Sequence, residues 1–382
     1  MTAYWLPHTS SVDFCEPNYL LTSVAVEPWN AVSSLFISLF GIIGLLYSNP
    51  TRELRVSMLY LLLVVIGLGS FALHASLHWF AQSLDELPML WFNVFVLYFL
   101  CTLHTPMDLQ STTVDNSNTA SLVASSNCDQ RAQNNAKLEI QVAVVLTVFT
   151  VGITFVYYSL QSFYIVFVAG YIFTVSSVFA WTVALVSFSP DNRSGEEEVV
   201  SASRWEAAVS YLVNRLLPMM SSSNRVTASK QQCFNRMTRL STTCLRGVVL
   251  VFVAIGFSCW LVDMHHCQSL LPYYTTYAWG MTFHVIWHLG AAYGGYLFVQ
   301  TLILLRARAL GVDLHILWPM KHHALPHDGG ESRGGAQRHL LTWFCLPILC
   351  EQKTLQKSNS VEFSFQQMST SCDDDVATST AV

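Results

Sequence analysis

Seven separate apolar runs constrain this chain more than any other feature, at roughly 30–48, 56–77, 87–104, 140–159, 162–187, 246–263 and 278–305. About 20 apolar residues cross the hydrocarbon core of a bilayer, and a backbone in that core must satisfy its polar groups internally, which a helix does. A large soluble protein can bury one such helix. Seven of them, in a chain with 11% charged and 52% hydrophobic residues, lie far from soluble domains, which average about 25% charge. The expected fold is all-α: a polytopic membrane protein with a bundle of seven transmembrane helices.

Charge then orients the bundle. With seven spans the N-terminal segment, the 78–86 turn, the 160–161 turn and the 264–277 loop share one side, and none contains Lys or Arg. All nineteen basic residues fall on the other side, from Arg52 and Arg55 through Arg131 and the Arg193–Arg246 stretch to Arg306 and beyond. Basic residues are retained on the cytosolic side, so the N-terminus is expected to be lumenal or extracellular and the C-terminus cytosolic. Residues 1 to 28 lack the basic start and apolar core of a cleavable signal, which makes the first span the expected insertion signal. A net charge of −5 carries no nucleic-acid signature.

Three regions follow: a lumenal segment 1–29, a membrane domain 30–308 with cytosolic inserts 105–138 and 188–245, and a largely disordered cytosolic tail 309–382. The first insert is rich in Ser, Asn and Thr and reads as a flexible loop. In the second, Trp205, Val209, Leu212 and Leu216 recur at helical spacing, which suits either a helix on the membrane surface or a locally helical linker. The Asn192 sequon faces the cytosol and should stay unmodified. In the tail, Leu340–Cys350 is apolar but too short to span, and Cys345 and Cys350 match an acylation pattern only weakly. Of the ten cysteines, only Cys15 and Cys267 face the oxidising side, so they form either a disulfide or two free thiols.

Polar residues stranded in the spans mark a site, because ionisable groups are costly at bilayer depth. Gly67–Trp91 carries Ser70, His74, His78, Asp85 and Glu86, and the last span carries His284 and His288. The latter pair is four apart, on one helix face, and His284 lies about 9 Å into its span at 1.5 Å per residue. With His74 they offer three imidazoles in one leaflet, leaving a fourth zinc position for water. His78 competes with His74 but lies nearer the aqueous interface. Ser70, one turn from His74, can reach a reacting group or simply back-bond to its own helix. Asp85 suits a general base, and Asp85-Glu86-Leu87-Pro88 also reads as a helix start. Asp13, Glu16, Asn18 and Glu27 form an oxygen-rich cluster without Lys or Arg, fit for calcium or a plain solvated loop.

VDFCEPNY (12–19), VEPWNAVSSL (26–35), GLGSFALHASL (67–77), LDELPMLW (84–91), WLVD (260–263) and HVIWHLGAAY (284–293) together resemble the alkaline ceramidases, in the wider superfamily of seven-span metal hydrolases. The resemblance implies catalytic zinc on His74, His284 and His288, with Ser70 and Asp85 as the catalytic pair. It implies structural or regulatory calcium on Asp13, the Phe14 carbonyl, Glu16, Asn18 and Glu27, and a Cys15–Cys267 disulfide. The family usually has Trp where Phe14 stands, a change that a carbonyl ligand tolerates. The implied reaction is hydrolysis of the N-acyl bond of ceramide, taken from the bilayer, to sphingosine and a fatty acid. Trp287 and Phe71 are candidates to line the lipid slot, with plain packing as the competing reading for Trp287. An endoplasmic reticulum or Golgi membrane is the expected location, with the plasma membrane as the other option. A related GPI-remodelling hydrolase and a non-enzymatic seven-span lipid receptor are the rival functions.

Overall fold

Small residues decide how the first two helices meet. In the structure, a computed structural model describing residues 4–50, 52–103, 122–159, 164–187, 228–276, 282–312, 314–317 and 348–351, α1 is Pro28–Tyr47 and α2 is Leu54–Ser76. A Cβ on Gly41 would lie 2.8 Å from the Tyr60 carbonyl, and one on Gly67 would lie 2.4 Å from Ser38 Oγ. The two helices therefore touch backbone to backbone, as small residues permit in membranes. Leu77 ends α2 in the left-handed region at φ +46° and is fully buried. The chain then turns at once into α3, Trp79–Cys101, whose first turn is capped by His78 accepting from Phe80 N at 3.4 Å.

The remaining helices are α4 (Leu122–Ser159), α5 (Tyr164–Ser187), α6 (Ala228–Val248), α7 (Ser258–His265), α8 (Cys267–Thr276) and α9 (Phe283–Leu310), with a π-helical stretch Val249–Phe257 joining α6 to α7 without a break. Among the described residues seven helical segments are long and apolar enough to cross a membrane, matching the seven apolar runs. The last is the axis: 78% of its most apolar window is buried, against 11% for the fourth span. Gly290 lets α9 press on the π-helical stretch, where an added Cβ would lie 2.9 Å from Gly256 Cα. Thr282 Oγ1 caps the start of α9, accepting from Val285 N at 3.2 Å, and Gly311 at φ +69° ends it.

Three departures from the sequence reading have physical causes. The 78–86 segment is not a turn, because α3 already begins at Trp79 and carries Pro88 inside it. The helix of the fourth span reaches back to Leu122, into the insert read as a flexible loop, and α6 likewise starts at Ala228 within the second insert. Once a span has nucleated a helix, extension adds a hydrogen bond per residue, and neither flank contains Pro or Gly to stop it. In the tail, Leu314–Leu317 (β1) pairs antiparallel with Ile348–Glu351 (β2), and Leu314 and Leu349 are buried against the helices. The Trp205–Leu216 segment, Asn192 and Cys345 lie outside the described residues.

Candidate metal centre

The end of α2 and the start of α9 bring three histidines to one point. His74, His284 and His288 are each no more than 2% exposed, and one ligand nitrogen from each lies within 4.8 Å of the others. Their ring centroids are 4.6 to 5.0 Å apart. Two of the Nδ1 atoms are held from outside the cluster, and the third faces a carboxylate. His74 Nδ1 meets Glu27 Oε2 at 2.6 Å, and His288 Nδ1 meets Ser33 Oγ at 2.7 Å. His284 Nδ1 has no hydrogen-bond partner but faces Asp263 Oδ2 at 3.7 Å. That leaves Nε2 of each ring for a shared ligand.

This arrangement fits a metal ion. Metal-bound histidines characteristically present the second ring nitrogen to a carboxylate or another polar group, which fixes tautomer and ring orientation. Two of the three holders, Ser33 and Asp263, were not singled out from the sequence. Asp263 had a signal, as an acid within an apolar run; Ser33 had none beyond its place in a stretch of small residues. His78, the rival third ligand, is exposed and caps α3.

Ser70 and Asp85 are brought together by a proline and a glycine. Pro88 has no N–H to give the Leu84 carbonyl four residues earlier. That carbonyl is turned to Gly69, where a Cβ would stand 1.9 Å from its oxygen, so only glycine admits the approach. The same Cβ would stand 2.9 Å from Asp85 N, so the next residues, Ser70 and Asp85, lie where the two helices touch. Asp85 consequently sits within α3 rather than capping it. Ser70 lies one turn from His74 on α2. Beside them Glu86 accepts from Tyr157 Oη at 2.8 Å and Gln82 Nε2 at 3.0 Å.

The N-terminal segment lies across this end of the bundle. Cys15 is joined to Cys267 by a disulfide. Glu16 accepts from Trp29 N and Asn30 N, both at 2.8 Å, at the first turn of α1. Its burial, followed by the charges of Glu27 and Asp263, holds its carboxyl up at about 7 despite those two backbone bonds. Glu27, fully buried and near Asp13, is raised well above the usual carboxylate range, chiefly by burial. Asp13 and Asn18 are exposed, with Asn18 Nδ2 donating to Asp13 Oδ1 at 3.5 Å. Among the described residues the three histidines are the group of three or more His, Cys, Asp or Glu that meets within 4.8 Å. Trp287 packs on Phe252 and Trp260, with centroids 5.3 and 6.4 Å away, while Phe71, on α2, is 38% exposed.

Comparison with known proteins finds alkaline ceramidases. Alkaline ceramidase 3 of Mus musculus is 43% identical over 89 residues, 23% of this chain and 33% of the relative. Alkaline ceramidase of Arabidopsis thaliana is 34% identical over 101 residues, 26% of this chain and 40% of the relative. Alkaline ceramidase of Drosophila melanogaster is 40% identical over 88 residues, 22% of this chain and 31% of the relative. The chain thus spans between 31% and 40% of the length of these curated relatives. The model of the Ceramidase family, in contrast, matches residues 6–328, which take in the N-terminal segment, all seven spans and the three histidines. The chain belongs to the Ceramidase family.

Proposed function

We propose that this chain is a zinc-dependent alkaline ceramidase that hydrolyses the N-acyl bond of ceramide to sphingosine and a free fatty acid. The observation that carries the reading is the buried histidine group with its Nδ1 atoms held by Glu27 and Ser33 and facing Asp263. A zinc ion on the three Nε2 atoms would supply a Lewis acid for the amide carbonyl and lower the pKa of the attacking water. Asp85 takes the proton as water adds to the carbonyl carbon, and returns it to the nitrogen as the C–N bond breaks. Ser70, one turn from His74, offers its hydroxyl to the oxyanion. One water is consumed, and the acid and the amine leave. Trp287 and Phe71 would bound the lipid chains.

Calcium is the second cation of this reading, with Asp13, the Phe14 carbonyl, Glu16, Asn18 and Glu27 as its ligands. Supporting it are two buried carboxyls, Glu16 and Glu27, in a segment without Lys or Arg, whose ionisation a bound cation would favour. Both Glu16 oxygens and Glu27 Oε1 each accept one described backbone N–H and keep a lone pair beyond it. The site would face the lumen of the endoplasmic reticulum or Golgi.

The test uses the full chain, purified in detergent and incubated with ceramide, phytoceramide and a GPI lipid. Release of sphingoid base and fatty acid is expected, together with about one zinc per chain by elemental analysis. Cleavage of the GPI lipid alone overturns the substrate. A metal-free protein without amidase activity points instead to a seven-span lipid receptor.

A further inference from the structure

Three consecutive residues of the N-terminal segment each grip a different support of the metal centre. Phe14 N donates to Glu27 Oε1 at 3.0 Å, and Glu27 holds His74. Cys15 N donates to Asp263 Oδ2 at 3.3 Å, the same oxygen that faces His284. Glu16 caps α1, where Asn30 Nδ2 in turn donates to Glu27 Oε2 at 3.1 Å. These bonds fix the backbone closely enough to aim the one large side chain among the three. The Phe14 ring lies 4.7 Å from the His74 ring and 4.2 Å from the His284 ring, tilted 52° and 50° to them. It therefore touches ligands from both helices that build the centre, while being only partly buried itself.

We infer that the Phe14 ring is a positioning residue that shuts the metal centre on the side of the N-terminal segment. It wedges His74 against His284 and keeps water-borne molecules from the ion, so that exchange with the aqueous phase is slow. The Phe14 ring packs against both imidazoles from this segment, beside the Glu27 bond to His74. Aromatic shape is what the position requires: a ring fills the gap between two imidazoles, whereas a branched aliphatic chain covers less of either. This inference rests on the proposed metal centre and adds a role for the Phe14 side chain beside that of its carbonyl.

The experiment loads the full chain, in detergent micelles, with cobalt(II) in place of zinc and challenges it with excess water-soluble aminocarboxylate chelator. Cobalt absorption in the visible reports the ligand set, and its decay reports release. Phe14→Ala should keep the wild-type spectrum but release cobalt about tenfold faster or more, the scale expected for groups just outside the ligands. Phe14→Trp should stay within about twofold of wild type, and Phe14→Leu should fall between. Thr9→Ala removes the bond that Trp79 N makes to Thr9 Oγ1 at 2.9 Å, loosening the segment without touching the ring, and should release cobalt like wild type. If Phe14→Ala does not fold, Phe14→Leu carries the same comparison. Release from the Phe14 variants at the wild-type rate overturns the shield and leaves the metal centre standing. So does equal acceleration by Thr9→Ala, which would assign the effect to the segment as a whole. A wild type that binds no cobalt overturns both.

Discussion

The two ends of α9 both bury polar side chains and use them in opposite ways. At its C-terminal end Arg306 is taken up completely. Its Nε and Nη2 meet Glu53 Oε2 and Oε1 at 2.8 and 2.7 Å, and its Nη1 meets the carbonyls of Thr102 and Leu103 at 3.1 and 2.8 Å. Arg308 donates to the Leu185 carbonyl at 2.6 Å and to Thr238 Oγ1 at 3.4 Å. These guanidinium groups close the carbonyl ends of α3 and α5, where helix dipoles favour cations. At the N-terminal end, His284 and His288 face a third imidazole, with Ser33 bonded to His288 Nδ1 and Asp263 facing His284 Nδ1. Nitrogens of three neighbouring rings then converge. One end is saturated and structural; the other is arranged to accept something.

The sharpest test of this contrast removes a ligand. His284→Ala and His288→Ala should each abolish ceramide hydrolysis to the level of a no-enzyme blank, because two imidazoles do not hold zinc with catalytic affinity. Elemental analysis should show the metal gone while the helical circular dichroism stays. Retention of stoichiometric zinc in either variant would break the proposed centre. Asp85→Asn comes next: turnover should fall about 10²–10⁴-fold, the contribution of a general acid–base group, with zinc content unchanged. Loss of zinc along with activity would make Asp85 part of the ligand support instead.

How far the sequence disclosed this site depends on the range of each interaction. His284 and His288 were readable because an i, i+4 pair in an apolar run needs only helix geometry. The seven spans were readable from apolar length alone. Asp85 was legible as a candidate, but its place inside α3 was not. Pro88 signals a helix start locally, and the Leu84 carbonyl that it orphans is accommodated by Gly69, on another helix. The Ser33 contact with His288 spans 255 residues, and the Asp263 bond to Cys15 spans 248. No local pattern encodes such contacts; they arise where helices close on one another. The helical flanks at Leu122 and Ala228 were missed for a different reason, since polar composition hides an extension that a neighbouring span nucleates.

The outer supports should show smaller effects than the ligands. Asp263→Asn and Ser33→Ala are expected to weaken zinc binding about 10–100-fold while leaving turnover per bound zinc near wild type. Competition with a chromophoric chelator measures the first quantity, and assays at saturating zinc measure the second. A drop in saturated turnover with unchanged affinity would move these residues from support to chemistry.

Arg306→Ala should have the smallest effect on the metal centre and a large one on the fold. Arg306 and Glu53 are only 4% and 10% exposed, so deleting the guanidinium leaves a buried carboxylate and takes a donor from the carbonyls of Thr102 and Leu103. Breaking a buried pair from one side costs about 3–5 kcal/mol, and Arg55 Nε, 3.9 Å from Glu53 Oε1, argues for the lower end of that range. Replacing both partners, as Arg306→Met with Glu53→Leu, should recover much of the loss, because an apolar pair of similar volume avoids desolvating two charges. Thermal unfolding in detergent orders wild type, double variant and single variant accordingly. Zinc content and turnover per zinc, measured below the melting range, should agree among all three within about twofold, since the sites are far apart along α9 and share no partner. Should Arg306→Ala instead release zinc at a temperature where the bundle is still folded, the division between a structural end and a chemical end fails. α9 would then transmit strain from its C-terminal arginine to its N-terminal histidines.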